Sequence, residues 1–132
     1  LIVRGNNLDN EIIGNKGNNE IYGMGGNDLL LGYGGNDLIY GHFGDDVLDG
    51  GNDNDEIFGD GGNDLIYGGD GDDAIKGGVG DDFIDGGNGL NGSEYNSGYD
   101  DNSISDWCIV WNLYGDMGGI WWILLKELTG YG

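Results

Sequence analysis

A nine-residue repeat dominates this chain and strongly limits how it can fold. From Gly5 the sequence divides into nine gapless blocks that end at Asp85, and a tenth block, GGNGLN, fades at Asn91. Every block opens with glycine, and the eighth position is Ile or Leu in all nine full blocks. Such a period indicates stacked units, none of which can bury its apolar residue alone.

Each block joins a turn-forming part to a strand-forming part, as in GDGGNDLIY from Gly59 to Tyr67. Glycine reaches left-handed backbone angles freely, and Asn and Asp tolerate them, so the first six residues favour a turn. The last three residues favour a strand, in which position eight points to one face and positions seven and nine point to the other. The aliphatic residue at position eight is therefore predicted to form the core.

The composition indicates a cation as the partner. The chain has 25 Asp and Glu but only 4 Lys and Arg, and its net charge is −21 at pH 7. This charge argues against nucleic acid and anionic membranes as partners. High glycine and high charge would suit a disordered acidic spacer, but a spacer has no need of a fixed register. The densest apolar run, GIWWILL, is too short to span a bilayer.

Blocks such as GGDGDDAIK and GGVGDDFID follow the pattern GGxGxDxUx, in which U is a large aliphatic residue, and GYGGNDLIY and GDGGNDLIY depart from it only at position two. This pattern resembles the calcium-binding nonapeptide repeat of the RTX (repeats-in-toxin) family, and the resemblance covers about two thirds of the chain. It implies an all-β fold, a right-handed parallel β-roll in which two repeats form one coil. Alternate strands would then stack into two short parallel sheets, and alternate turns into two edges.

Position six of the blocks supplies the candidate metal ligands. Residues 18 apart should lie one strand spacing apart, about 4.8 Å, where their carboxylates repel each other unless a cation lies between them. Calcium takes six to eight oxygens, including the carbonyls that glycine turns expose, whereas zinc prefers His and Cys. The predicted ligands are Asn10, Asp28, Asp46, Asp64 and Asp82 on one edge, Asn19, Asp37, Asp55, Asp73 and Asn91 on the other, and Gly26, Gly35, Gly44, Gly62, Gly71 and Gly80 at position four.

Neighbouring pairs along the two edges predict about five to eight calcium ions. Five pairs join two Asp residues, and the pairs 10/28, 19/37 and 73/91 each contain one Asn and should bind more weakly. The family resemblance implies that each Asp at position six bridges two ions. Most other turn carboxylates, such as Asp45, Asp72 and Asp81, are expected to be solvated.

Several outward positions are apolar. Tyr22, Tyr40 and Phe58 are spaced by 18 residues and are predicted to form an aromatic ladder. Contiguous exposed apolar surface marks an interface, which either the chain's own tail or another chain could cover. The candidate interface residues are Tyr22, Leu29, Leu31, Tyr40, Phe58, Leu65, Tyr67, Trp121 and Trp122.

The repeat divides the chain into four regions. They are an N-terminal lead over 1–4, the β-roll over 5–91 with nine full repeats over 5–85, a polar linker over 92–103 and an aromatic-rich segment over 104–132. Alternation and four tryptophans in the last region predict a C-terminal β-hairpin-like cap, or a segment that docks on a neighbouring chain.

Two functions remain open on the sequence alone. The apolar outward faces favour an extracellular calcium-binding structural or adhesive module, which folds on Ca²⁺ and self-associates, with fibres as one outcome. The alternative is the C-terminal repeat and secretion module of a type I secreted protease, lipase or toxin. Both imply a secreted or cell-surface location. An enzyme is not predicted, because the chain has no nucleophile–His–acid set and the metal edges account for its carboxylates.

Overall fold

The computed structural model describes residues 1–89 and 92–94, and over these residues the chain forms strands and turns without a helix. Asn91 and the cap predicted over 104–132, with Trp121 and Trp122, lie outside the described residues. The strands are β1 (Ile2–Arg4), β2 (Glu11–Ile13), β3 (Glu20–Gly25), β4 (Leu29–Tyr33), β5 (Leu38–Phe43), β6 (Val47–Asn52), β7 (Glu56–Gly61), β8 (Leu65–Asp70), β9 (Ala74–Val79), β10 (Phe83–Asp85) and β11 (Gly92–Glu94).

Successive strands alternate between two parallel sheets. The odd-numbered strands form one sheet in the order β1-β3-β5-β7-β9-β11, and the even-numbered strands form the other in the order β10-β8-β6-β4-β2. Paired residues are 18 apart, so that Ile21 pairs with Ile39 and Ile39 pairs with Ile57. Two repeats therefore make one coil, and the coils stack into a solenoid of about five turns, which confirms the predicted parallel β-roll.

The strands of the middle coils are longer than the predicted three residues. Strand β5, for example, continues from Leu38 through Gly41 to Phe43, into the first three positions of the next block. Glycine has a low strand propensity, but the neighbouring coil offers backbone partners beyond Gly41, as the pairings of His42 with Asp60 and Phe43 with Gly61 illustrate. Tertiary pairing thus overrides local propensity, and the turn shrinks to the last few residues of the predicted turn segment.

The core is a single file of aliphatic side chains between the two sheets. Each comes from position eight of a block, and burial of such a side chain contributes about 1.5–3 kcal/mol. The predicted core is confirmed, because every member is at most 8% exposed. Its members are Ile12, Ile21, Leu30, Ile39, Leu48, Ile57, Ile66, Ile75 and Ile84.

The coil register continues on both sides of the nine blocks. Residues Ile2–Arg4, which the sequence suggested as a separate lead, form β1 and pair with β3, and Val3 packs against the core. The signal was present in the sequence, because Val3 lies nine residues before Ile12. At the other end, the first residues of the predicted linker form β11, which pairs with β9 in the same 18-residue register.

Candidate metal centre

From the third block onwards, each block contains two residues with left-handed backbone angles, at positions two and four. Position two accepts other residues than glycine, such as Met24 with φ of 86° and His42 with φ of 74°. At both positions a Cβ would lie against the preceding coil: on Gly62 it would collide with the carbonyl oxygen of Gly44, and on Gly69 with that of Gly51. The predicted turn glycines all have φ between 83° and 142°: Gly26, Gly35, Gly44, Gly62, Gly71 and Gly80.

The coils bring the position-six side chains into one row along each edge. The Asp side chains of these rows are nearly inaccessible, with Asp46 1% and Asp55 3% exposed. Each Asp Oδ1 accepts a hydrogen bond from the backbone N–H of the residue 18 positions earlier, for example 2.7 Å from Asp28 N to Asp46 Oδ1. The rows are Asn10, Asp28, Asp46, Asp64 and Asp82 on one edge and Asn19, Asp37, Asp55 and Asp73 on the other.

The second carboxylate oxygen, Oδ2, has a different environment. It is buried without a hydrogen-bond partner in Asp28, Asp37, Asp46, Asp55 and Asp64. It faces the position-one glycine of its own block, where a Cβ on Gly41 would lie 2.5 Å from Asp46 Oδ2 and 2.9 Å from the carbonyl oxygen of Gly59. A side chain here would thus fill the place where carboxylate and carbonyl oxygens come together. Buried oxygens without donors are costly, so the rows require protons or cations.

Burial shifts the acidity of these carboxyl groups. Desolvation raises the pKa of Asp46 to about 6 and the pKa values of Asp55 and Asp64 to about 7. Hydrogen bonds from the preceding coil oppose this rise, and neighbouring carboxylates add to it. The pKa values of Asp37 and Asp73 are raised as well, also mainly by burial. The metal-free rows are therefore electrostatically strained at neutral pH.

The oxygen atoms along the edges suit calcium. Among the described residues, no three His, Cys, Asp or Glu side chains form a metal-binding group, so a cation here must also use backbone carbonyls. Calcium accepts such mixed oxygen sets in flexible geometry, whereas magnesium demands a tight octahedron. A calcium ion held between successive coils would supply the positive charge that these carboxylates lack. The ligand assignment of each predicted residue stays a prediction.

Position five carries a second ladder, which the sequence interpretation missed. Its side chains accept hydrogen bonds from backbone N–H groups one coil later, opposite in direction to the Asp rows. The Asn27 Oδ1 accepts from Asp45 N at 3.0 Å, and the Asp45 Oδ1 accepts from Asn63 N at 2.8 Å. Asp45 therefore does more than carry solvated charge. The signal was available, because position five is Asn or Asp in all nine full blocks.

Asp53 stands at position four, where most blocks have glycine. The structure places it in the left-handed region with φ of 74°, which Asp tolerates better than most residues. Its Oδ2 accepts a hydrogen bond of 3.1 Å from the Gly35 N–H in the preceding coil. Asp53 thus keeps the turn conformation and adds a contact between coils.

The first two turns differ from the later ones. No residue from Gly5 to Asn19 has a positive φ. Instead the Asn6 and Asn15 side chains accept hydrogen bonds of 2.8 Å from the N–H groups two residues later, which are Asx turns. These turns also carry Asn rather than Asp at position six. The N-terminal pairs of both edges are therefore distinct in geometry as well as charge.

Lowering the pH from 8 to 5 is expected to increase β-structure in the metal-free protein. The pKa values of Asp46, Asp55 and Asp64 lie above the ordinary 3.8, so the roll binds protons that the unfolded chain does not. The resulting stability is complete below about pH 3.8 and is lost as pH rises through about 6 to 7. Circular dichroism of protein stripped of calcium on a chelating resin measures this.

A double variant provides the control for this pH dependence. Asp55→Asn with Asp64→Asn removes two of the titrating groups and should flatten the response. An unchanged spectrum of the unaltered chain between pH 8 and pH 5 would contradict the prediction.

The comparisons with known proteins agree with this geometry. The chain matches the family model described as RTX calcium-binding nonapeptide repeat (4 copies), over residues 4–39, 22–57, 31–66 and 58–92. These ranges include both Asp rows and all the described turns. No curated protein and no solved structure matches the chain significantly.

Proposed function

Because this chain belongs to the RTX calcium-binding nonapeptide repeat family, we propose that it is an extracellular structural module that folds on calcium and then self-associates. The observation that carries calcium-dependent folding is the row of buried Oδ2 atoms without hydrogen-bond partners on each edge. An ion between successive coils would satisfy these oxygens and remove the repulsion between them. The proposed number of ions is about five to eight, with the Asp–Asp pairs strongest.

The outer face of the even-numbered sheet supports self-association. Four apolar side chains lie in register across it, since Leu29 pairs with Val47, Val47 with Leu65, and Leu65 with Phe83. The first three are half-buried and Phe83 is 38% exposed. We call Leu29, Val47, Leu65 and Phe83 the apolar row. Its neighbours Leu31 and Tyr67 widen it, although Asp49 lies between them in register. A row of this kind is suited to pack against a second copy.

The odd-numbered sheet presents a different face. Its predicted aromatic ladder is present, with ring centroids 5.4 Å apart between Tyr22 and Tyr40 and 4.7 Å apart between Tyr40 and Phe58. The ring planes are nearly parallel and stacked, so the rings bury their faces on one another. Arg4 covers the outer end at 4.8 Å from the Tyr22 centroid. The ring faces of the ladder are thus covered by one another and by Arg4, so the apolar row is the stronger candidate for a contact between copies.

The C-terminal segment is the second proposed contact. Its run IWWILL from Ile120 to Leu125 is strongly apolar, and it could add hydrophobic area by docking on a neighbouring roll. Trp121 and Trp122 remain candidate interface residues on this basis.

A second function is supported by the family match itself. RTX repeats are typical of proteins exported by type I secretion systems, so the chain could be the repeat module of a longer secreted protein. Either function places it outside the cell. Over the described residues, no helix has the length and hydropathy needed to cross a bilayer.

Replacing apolar residues on the even-numbered sheet tests self-association. In calcium, light scattering should show the unaltered chain as an assembly, and Leu29→Ser with Leu31→Ser and Leu65→Ser should shift it towards monomer. Calcium binding should persist, because none of the three residues lies on the Asp rows. The matched control is Leu8→Ser, since Leu8 is 71% exposed in the first turn and belongs to neither sheet.

Two outcomes would contradict the assembly proposal. An unaltered chain that is monomeric in calcium at high concentration would refute self-association and favour the repeat-module function. An equal shift by Leu8→Ser and the triple variant would show that the apolar row is not the contact.

A further inference from the structure

The Asn19 side chain is surrounded by oxygen atoms in a way that no other described position-six residue shares. Its amide nitrogen, Nδ2, donates towards Gly17 O at 2.6 Å, Asp37 Oδ1 at 2.8 Å, Asn15 O at 3.2 Å and Gly32 O at 3.4 Å. Two of these oxygens belong to the turn of Asn19 itself, and two belong to the turn one coil later. Asn19 is only 2% exposed, so water does not compete for them.

We propose that the Asn19 amide takes the place of a calcium ion between these two turns, so the pair 19/37 binds no metal. Three carbonyl oxygens and a carboxylate oxygen are ligands that calcium prefers. An amide NH₂ group brings two N–H donors and partial positive charge to the same place. It links successive turns of one edge, as an ion between coils would. This inference rests on the proposed calcium sites and lowers the number of predicted pairs from eight to seven.

Comparison with the Asp-containing turns shows why no cation is needed here. In those turns the atom facing the position-one glycine is an Oδ2 without a donor, next to a glycine carbonyl oxygen of the next coil. At the equivalent place, a Cβ on Gly14 would meet the Asn19 nitrogen at 2.9 Å and Gly32 O at 2.5 Å. A donor thus faces the carbonyl instead of a second acceptor. The reverse amide orientation would set oxygen against four oxygens, so the surroundings fix the assignment.

The orphaned oxygen of Asn19 has a local explanation. Its Oδ1 is buried without a hydrogen-bond partner. In the Asp rows the corresponding donor is the backbone nitrogen 18 residues earlier, which for Asn19 is that of Leu1. The Leu1 nitrogen donates to Asn18 O at 3.2 Å instead. Asn19 thus turns its donor side towards the next coil.

Asn10 begins the other edge and provides the contrast. Its Oδ1, not its nitrogen, faces Gly5 and accepts a hydrogen bond of 2.8 Å from Asn6 N. Its nitrogen has one partner in the structure, Asn6 Oδ1 at 3.3 Å. Asn10 thus presents an oxygen towards the pair 10/28, as an Asp would. The same residue type opens both edges, but only Asn19 excludes a cation.

Two variants that make the same chemical change test this difference. We expect Asn19→Asp to bind one calcium ion more than the unaltered chain, because the carboxylate places an acceptor where Asn19 has its N–H donors. Asn10→Asp should leave the ion count unchanged and only strengthen binding. Isothermal titration and native mass spectrometry of the 132-residue chain give the counts.

The outcomes separate this inference from the proposed function. An unaltered chain that binds no calcium would refute the calcium-folding proposal itself. A chain that binds calcium, with Asn19→Asp showing no additional ion or Asn10→Asp gaining one as well, would overturn the role of Asn19 alone. Amide exchange in the calcium-loaded unaltered chain adds a measurement that does not depend on variant folding. The Asn19 side-chain protons should exchange slowly, and fast exchange would overturn the proposal.

Discussion

Removing calcium at neutral pH is expected to convert the β-roll into an expanded, largely unstructured chain. Nineteen Asp and Glu residues lie between Asp9 and Asp85, and the position-six carboxylates among them become buried when the coils stack. The core is only one side chain wide, and the many glycines lose much conformational entropy on folding. Without the ion, these costs outweigh burial of nine aliphatic residues, so metal binding and folding should be coupled.

Circular dichroism and small-angle scattering can test this coupling directly. Millimolar calcium should produce a β-type spectrum and a smaller radius of gyration, and excess chelator at pH 7.5 should reverse both changes. Sodium chloride and magnesium at matched ionic strength separate general screening from specific coordination, and we expect neither to restore the roll fully. A compact, β-rich chain in excess chelator at neutral pH would refute calcium-dependent folding.

The register of this fold could be predicted from the sequence because a single nine-residue period runs without a gap through all nine full blocks. Position eight has only one way to be buried in a stack of coils, and all nine of its residues, from Ile12 to Ile84, lie in the core as expected. The extent of the strands could not be predicted in the same way. Glycines such as Gly41 and Gly59 favour turns locally, but they lie within β5 and β7, which pair with each other 18 residues apart.

The candidate site was predictable in its residues but not in its atoms. Spacing brings Asp28, Asp46 and Asp64 onto one edge, and the structure places them there. The sequence does not distinguish their two oxygens, because the division into a bonded Oδ1 and an orphaned Oδ2 depends on the backbone of the preceding coil. The same holds for Asn19 and Asn10, which are identical in type and repeat position. Asn19 turns its amide nitrogen towards the position-one glycine of its block, whereas Asn10 turns its oxygen there.

Position five illustrates a different limit of prediction from the sequence. Asn and Asp are common in turns for local reasons, so their presence at Asn27 or Asp45 did not suggest contacts between coils. Their occurrence at every block was stronger information than their turn propensity, since other turn residues would serve a local role equally well. The position-five side chains accept hydrogen bonds from the following coil, and the position-six Asp side chains accept them from the preceding coil. Together they link each turn to the turns on both sides of it.

Substituting the position-one glycine is expected to disrupt a calcium site without altering any ligand. In Gly59→Ala the added methyl group would collide with Asp64 Oδ2 and lie 2.5 Å from Gly77 O. The obstacles are a buried carboxylate and a backbone carbonyl, neither of which can move freely between stacked coils. We expect the calcium-loaded roll to lose about 1–3 kcal/mol, the usual cost of overpacking. The melting temperature should fall by roughly 4–8 °C for each kcal/mol, and more calcium should be needed for folding.

The matched control lies two residues away in the same strand, β7. A Cβ on Gly61 would approach only His42 O at 3.6 Å and the Phe43 ring at 3.7 Å, which are ordinary contacts. Neither Gly59 nor Gly61 has a positive φ, so backbone strain does not distinguish them. Gly61→Ala should therefore stay within about 0.5 kcal/mol of the unaltered chain, or gain slightly through a less flexible unfolded state. Thermal unfolding and calcium titration of both variants would decide the matter. Equal losses would mean that the space beside Asp64 is not a cation site and that glycine at position one serves only the packing of the coils.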